Sequence, residues 1–173
     1  MESIEIKALV NHAVADTSQG FAALYEHTVD RVFSFVAFRT NSHEDAREVT
    51  QDVFIELYKS LPRFTYQSDA AFYSFLFTLV RRQLAAYYAK TKKHETAELQ
   101  EEWHGSAESA VEQNCSVTQA LETLDDVSRE IVVLHHWSRF TFAEIGTIIN
   151  MKESAVRVRH HRARAALASI LNA

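Results

Sequence analysis

The chain has 173 residues, a formal net charge of −5 and an apolar fraction of 47%, enough for a packed core and against global disorder. Three glycines and one proline are too few for the tight turns of a sandwich or barrel, so the expected fold class is all-α. The acidic balance, taken alone, speaks against a nucleic-acid binder, which usually shows a basic composition.

The start, Met1-Glu2-Ser3, has neither a basic n-region nor an apolar h-region, so no secretion signal is expected and a reducing cytoplasm is the expected location. Residues 1–20 read as an N-terminal extension. From residue 21 the apolar spacing is helical: Phe21, Leu24, Tyr25, Val29, Val32, Phe33 and Val36 predict a first helix. Ser42 stands three before Asp45, a capping pattern, and Ala46, Val49, Val53 and Leu57 form the buried stripe of a second helix that Pro62 ends. Glu44, Glu48, Asp52 and Glu56 recur every four residues along it, with Asp45 and Gln51 beside the ridge. Like charges at that spacing cost roughly 0.2–0.5 kcal/mol per pair. Such a ridge suits a basic partner or a solubilising face, and the residues alone leave both open.

A third helix is predicted over residues 69–88, capped by Ser68, with Phe72, Phe75, Leu76, Leu79 and Gln83 inward. Its apolar stretch, residues 70–80, stops at Arg81 and Arg82, well short of the about 20 residues of a spanning helix. Membrane insertion is not expected. Arg81, Arg82, Lys90, Lys92 and Lys93 form a basic track interleaved with Tyr73, Phe77, Tyr87 and Tyr88. Rings beside a basic track are what unpaired bases stack on; rings at helical spacing are equally core residues, the preferred reading for Phe72, Phe75 and Leu76.

Residues 91–118 carry six acids against two lysines and no helical periodicity, and read as an acidic linker. They contain Cys115, the only cysteine, so neither a disulfide within the chain nor a cysteine-based metal cluster is expected. Beyond them, Asp125-Asp126 breaks a helix near Leu121–Leu124, and Ile131, Leu134 and His135 share a face of the next. Thr141-Phe-Ala-Glu144 is a capping box opening a short apolar helix through Ile145, Ile148 and Ile149. Asn150 stands at a turn where a positive φ is expected, and a basic helix runs from Glu153 to Leu171. Short helix, turn and longer basic helix make the helix-turn-helix plan. Arg157 and Arg159 fall in the early turns that reach base edges, with Val156, Ala163 and Leu167 inward; a solvated basic face is the alternative.

Catalytic constellations are missing from the pattern. His43-Glu44-Asp45 begins like a zincin motif, but Arg47 replaces the second ligand. His135-His136 and His160-His161 are adjacent pairs whose rings diverge by about 100° on a helix. No glycine-rich phosphate loop is present. The expectation is a non-enzyme with no cofactor and no metal.

Asp45-Ala-Arg-Glu-Val-Thr-Gln-Asp-Val-Phe-Ile-Glu-Leu-Tyr-Lys-Ser-Leu-Pro-Arg-Phe64 closely resembles the polymerase-binding region of bacterial sigma factors. Thr141-Phe-Ala-Glu-Ile-Gly followed by Glu153-Ser-Ala-Val-Arg-Val-Arg-His-His-Arg-Ala-Arg164 resembles their promoter-reading helix-turn-helix. The short two-domain layout is similar to the extracytoplasmic-function class. The resemblance implies a region-2-like domain at 21–90, the linker at 91–118 and a region-4-like domain at 119–173. It implies that Asp45, Glu48, Gln51, Asp52 and Phe54 dock the β′ clamp helices of core RNA polymerase, with the β flap as a further contact. Thr65, Tyr66, Gln67, Ser68, Tyr73, Arg81, Arg82, Tyr87, Tyr88 and Lys90 would hold the melted minus-ten element. Arg157, Arg159, His161 and Arg162 would read the minus-thirty-five element, with Thr141 and Ser154 on phosphates, and an anti-sigma factor would be a further partner. Departures from the family pattern are Phe75 for Trp, Gln83 for Asn, and Arg139 and Asn150 for Gly. The rival readings are a sigma-like decoy for an anti-sigma factor and a helix-turn-helix repressor with a helical sensor.

Overall fold

Every regular element in the computed structural model is helical among the residues it describes, 6–97, 117 and 119–171, with 92–97 and 171 described by backbone alone. Cys115 and most of the expected linker therefore lie outside the described residues. The stretch read as an extension holds a helix, α1 (Ile6–Ala15), whose buried Ile6, Val10 and Ala13 recur every three or four residues and pack against α2 (Thr17–Ala37). Asp16 separates the two and caps α2 by accepting from the Ser18 and Gln19 amides. The α1–α2 crossing is close because Gly20 has no side chain: a Cβ there would lie 2.5 Å from the Ala13 nitrogen.

α3 (His43–Ser60) starts at Ser42, whose Oγ accepts the Asp45 amide, and buries Ala46, Val49, Val53 and Leu57 as the stripe predicts. Thr50 and Phe54 are buried besides. A 3₁₀ turn, Leu61–Arg63, carries Pro62 and ends it. α4 (Asp69–Ala97) begins at Ser68, whose Oγ accepts the Ala71 amide (3.1 Å). It extends nine residues past the predicted end, since nothing from residue 89 to 97 is a glycine or proline that would stop it.

A short helical segment at 119–122 precedes α5 (Asp126–His136), which Asp125 caps through the Ser128 amide. α6 (Phe142–Ile148) opens with the complete Thr141–Glu144 capping box, and α7 (Glu153–Leu171) follows. Asn150 takes φ 55°, as expected, and Arg139 takes φ 57°, at a position where the resemblance leads one to expect glycine. Gly146 lets the turn before α7 fold back; a Cβ there would stand 2.5 Å from the Met151 carbonyl oxygen.

One continuous apolar core runs through both halves of the chain. α4 packs against α6 and α2 touches α5, so the helix-turn-helix sits directly on the N-terminal bundle. Among the described residues no helix is long and apolar enough to cross a membrane.

Gly20→Ala is expected to cost about 1–3 kcal/mol in urea unfolding, because the added methyl meets backbone that cannot swing aside.

Candidate functional site

The acids of α3 do not form one free ridge. Glu48, Gln51 and Asp52 are exposed, but Glu56 turns toward α4, where it is ion-paired with Arg82 and accepts from Gln83 Nε2 (2.6 Å). Lys90 Nζ reaches Glu48 (3.3 Å), and the Tyr87 hydroxyl donates to Asp45 (3.2 Å) while accepting the Asn41 amide (3.1 Å). A cavity of about 320 Å³ between α3 and α4 is lined by Asp45, Glu48, Asp52, Gln83, Tyr87 and Lys90. Cations from α4 thus offset the like-charge cost of the α3 acids. Of the residues assigned by resemblance to the minus-ten element, Tyr87 and Lys90 face Asp45 and Glu48, which the resemblance assigns to polymerase, and Arg82 faces Glu56.

Phe54 does not stand on the ridge. Its ring is only 3% exposed and lies edge-on to Tyr25 (4.7 Å) at the floor of a groove on the other flank of α3. Phe21, Tyr25, Ile55 and Tyr58 line that groove, about 620 Å³ in volume, with Gln51, Arg47 and Lys59 also on its walls. Tyr25, Ile55 and Tyr58 are each about two-fifths exposed, an apolar surface that a monomer in water usually covers. Sequence reasoning placed Tyr25 in a buried stripe and passed over Ile55 and Tyr58. The available signal was the i, i+4 pairing of aromatics on both helices: Phe21 with Tyr25, and Phe54 with Tyr58.

The remaining minus-ten candidates separate. Thr65, Gln67 and Ser68 are exposed on the loop before α4, and the Tyr66 hydroxyl is hydrogen-bonded to Asp69. Tyr88 is half-exposed, its hydroxyl donating to the Arg39 carbonyl (2.8 Å). Tyr73 is covered in this arrangement: it is 3% exposed, and Phe140 packs edge-on against it (4.8 Å). Burial accordingly raises its hydroxyl pKa. Arg81 donates to Glu130 of α5 (2.7 Å). The sequence pattern identified these two as surface groups because their cover comes from the other half of the chain.

On the helix-turn-helix, Ser154, Arg157, His161 and Arg162 are exposed along α7, and Arg159 is half-buried. Arg157 pairs with Glu153 (2.5 Å) over the Phe142 ring, and Arg159 pairs with Asp125 (3.3 Å). Exposed pairs of this kind are weak and give way to a phosphate or base. Thr141 is engaged in the capping box, donating its amide and hydroxyl to Glu144 (both 2.8 Å).

His160 points inward, 6% exposed, with its ring 4.9 Å from Phe142 and 4.8 Å from His135. Its Nε2 lies 3.0 Å from His136 Nε2, one ring donating to the other. Burial first, then His135 and His136, brings its pKa down from 6.5 to about 4; His136 is lowered as well, chiefly by burial. Among the described residues no group of three or more His, Cys, Asp or Glu side chains is arranged to hold a metal ion.

Two family models match the chain: Sigma-70 region 2 over residues 24–94, and Sigma-70, region 4 over residues 116–167. Among curated proteins, the ECF RNA polymerase sigma factor BldN of Streptomyces coelicolor is 24% identical, over 98% of this chain and 67% of its own length. The ECF RNA polymerase sigma factor SigK of Mycobacterium tuberculosis is 22% identical, over 98% of this chain and 94% of its own. Of solved structures, the sigma factor RpoE of Bartonella quintana, in complex with the anti-sigma factor NepR, superposes with a TM-score of 0.67 at 18% identity, over 88% of this chain and 96% of that one. CnrH in complex with the cytosolic domain of CnrY gives the same TM-score at 22% identity, over 95% and 96%. These likenesses show the all-α, two-domain fold.

A folded pKa below the free value means that the unfolded chain binds the His160 proton more readily. Stability is therefore expected to be complete above pH 6.5 and to fall by roughly 2–3 kcal/mol as the pH drops to 4, at about 1.4 kcal/mol per pKa unit. Urea unfolding across that range measures the slope, and His160→Leu is expected to flatten it.

Proposed function

Because this chain belongs to the sigma-70 family, in its extracytoplasmic-function class, we propose that it binds core RNA polymerase in the cytoplasm, directs it to a subset of promoters and helps open the minus-ten element. Transcription regulation is the business of the family, and the protein acts as a non-catalytic subunit in it. The observation that carries the reading is the surface of α3. It presents exposed Glu48, Gln51 and Asp52, on the segment that resembles the polymerase-binding region, beside an exposed apolar groove that Ile55 and Tyr58 share with Tyr25 of α2. A helix built only for solubility has no use for that groove.

The β′ clamp helices dock on this face, with Phe54 shaping the groove floor from below. On α7, Arg157, Arg159, His161 and Arg162 read base edges of the minus-thirty-five element, and Ser154 and Thr141 hold phosphates. The loop at 65–68 and the adjoining face of α4, including Tyr73, Arg81 and Tyr88, hold the opened strand. The β flap is a further polymerase contact. A likeness to a sigma factor solved with its anti-sigma factor supports a partner of that kind here.

Reversing both charges, Glu48→Lys with Asp52→Lys, is expected to abolish co-purification with core polymerase; undiminished binding would remove α3 from the interface. Arg159→Ala is expected to cost about 1–3 kcal/mol on a cognate promoter fragment and little on scrambled DNA, measured by competition binding of the holoenzyme. An equal loss on both would make Arg159 a phosphate contact.

A further inference from the structure

The start of α6 and the first turns of α7 meet around one guanidinium. Arg157 Nε and Nη2 both donate to the same oxygen of Glu153 (2.9 and 2.5 Å), and the guanidinium carbon lies 5.1 Å from the centroid of the Phe142 ring. Glu153 stands in the first turn of α7, where the helix dipole favours a carboxylate, and Glu before Arg at i, i+4 is the favoured order. Phe142 is held in turn: the His135 ring stacks on it (4.3 Å, 21° between planes) and His160 packs against it at 4.9 Å. Burial brings the His160 pKa down to about 4, so at neutral pH that ring sets no positive charge against the arginine.

These contacts take up one edge and one face of the guanidinium. The outer edge, Nη1 with the second Nη2 hydrogen, has no partner among the described residues. Two parallel N–H groups on such an edge match O6 and N7 of guanine.

We propose that Glu153 and Phe142 are positioning residues that make Arg157 a reader of guanine and not a phosphate contact. The proposal rests on the reading of α7 as the helix that recognises promoter DNA. Glu153 acts twice. It closes the Nε edge, so that only the outer edge is offered. Its charge also repels a phosphate that approaches Arg157, whereas O6 and N7 of guanine are neutral acceptors. An exposed ion pair on its own is weak; here the Phe142 ring restrains the plane of the guanidinium as well, and a flat cation over an aromatic face adds its own attraction. Arg159 shows the contrast. Its Nη1 goes to Asp125 (3.3 Å), so its outer edge is partly occupied and it must leave that acid before it can read a base.

Base preference is measured by selecting from a randomised duplex pool with the holoenzyme, core polymerase plus the full chain, and sequencing the bound DNA. Wild type is expected to enrich a guanine at one position of the upstream element, and Arg157→Ala to abolish that preference alone. Glu153→Gln keeps the length and removes the charge, and Phe142→Leu keeps an apolar side chain in place. Each is expected to lower the enrichment of that guanine about three- to tenfold, with other positions unchanged. Glu153→Gln is further expected to steepen the dependence of log K on log salt by about one, as Arg157 takes up a phosphate. A guanine preference and a salt slope both unchanged in Glu153→Gln would overturn the proposal while leaving α7 as the reading helix. No enriched upstream sequence with wild type would overturn that reading, and the proposal with it.

Discussion

Phe140 belongs by sequence to the helix-turn-helix, yet its ring is buried between Tyr73, Phe77 and Arg31 of the N-terminal bundle. The His135 ring nitrogen Nδ1 holds the Phe140 carbonyl from behind (2.9 Å), and the positive φ of Arg139 aims the turn. Where this ring goes decides what else is exposed. It merges two small cores into one, which matters because domains of this size bury too little surface to be stable with much to spare. It also sets which candidate surfaces face solvent. Glu48, Gln51, Asp52 and the aromatic flank of α3 are exposed, as are Ser154, Arg157, His161 and Arg162 of α7, and the middle of α4 is covered.

Charge is distributed to the same plan. The basic track of α4 divides, with Arg81 going to Glu130 and Arg82 and Lys90 going to Glu56 and Glu48. On α7, Arg157 and Arg159 rest on Glu153 and Asp125. The cations that would meet nucleic acid are thus held by acids of the same chain, mostly in half-exposed pairs that exchange at little cost. A net charge of −5 is compatible with the proposed DNA recognition on these terms, because the basic groups concerned are local and already matched by acids nearby.

Local features of the fold were legible in the sequence. Ser42, Asp125 and Thr141 cap helices because capping depends on residues two or three apart. Asn150 takes positive φ for an equally local reason. α1 escaped notice because its stripe is only Ile6, Val10 and Ala13, and the feature that seats it, Gly20 against Ala13, exists only after packing. The site was legible in residue type and illegible in partner. Tyr73 and Arg81 read as surface groups because no local pattern reports Phe140 or Glu130, far along the chain. His160 read as one of an adjacent pair; its actual partner, His136, lies across the helix-turn-helix. The roles assigned to residues came from the family resemblance, and geometry then sorted them into free and covered.

The most direct test of the account is run-off transcription with purified core polymerase, this protein and genomic DNA fragments. Discrete transcripts that depend on the protein, start at a common spacing from a shared upstream sequence and disappear with the Glu48→Lys, Asp52→Lys variant are the result the account requires. Transcripts indistinguishable from those of core polymerase alone, with the protein bound to the polymerase, would contradict it.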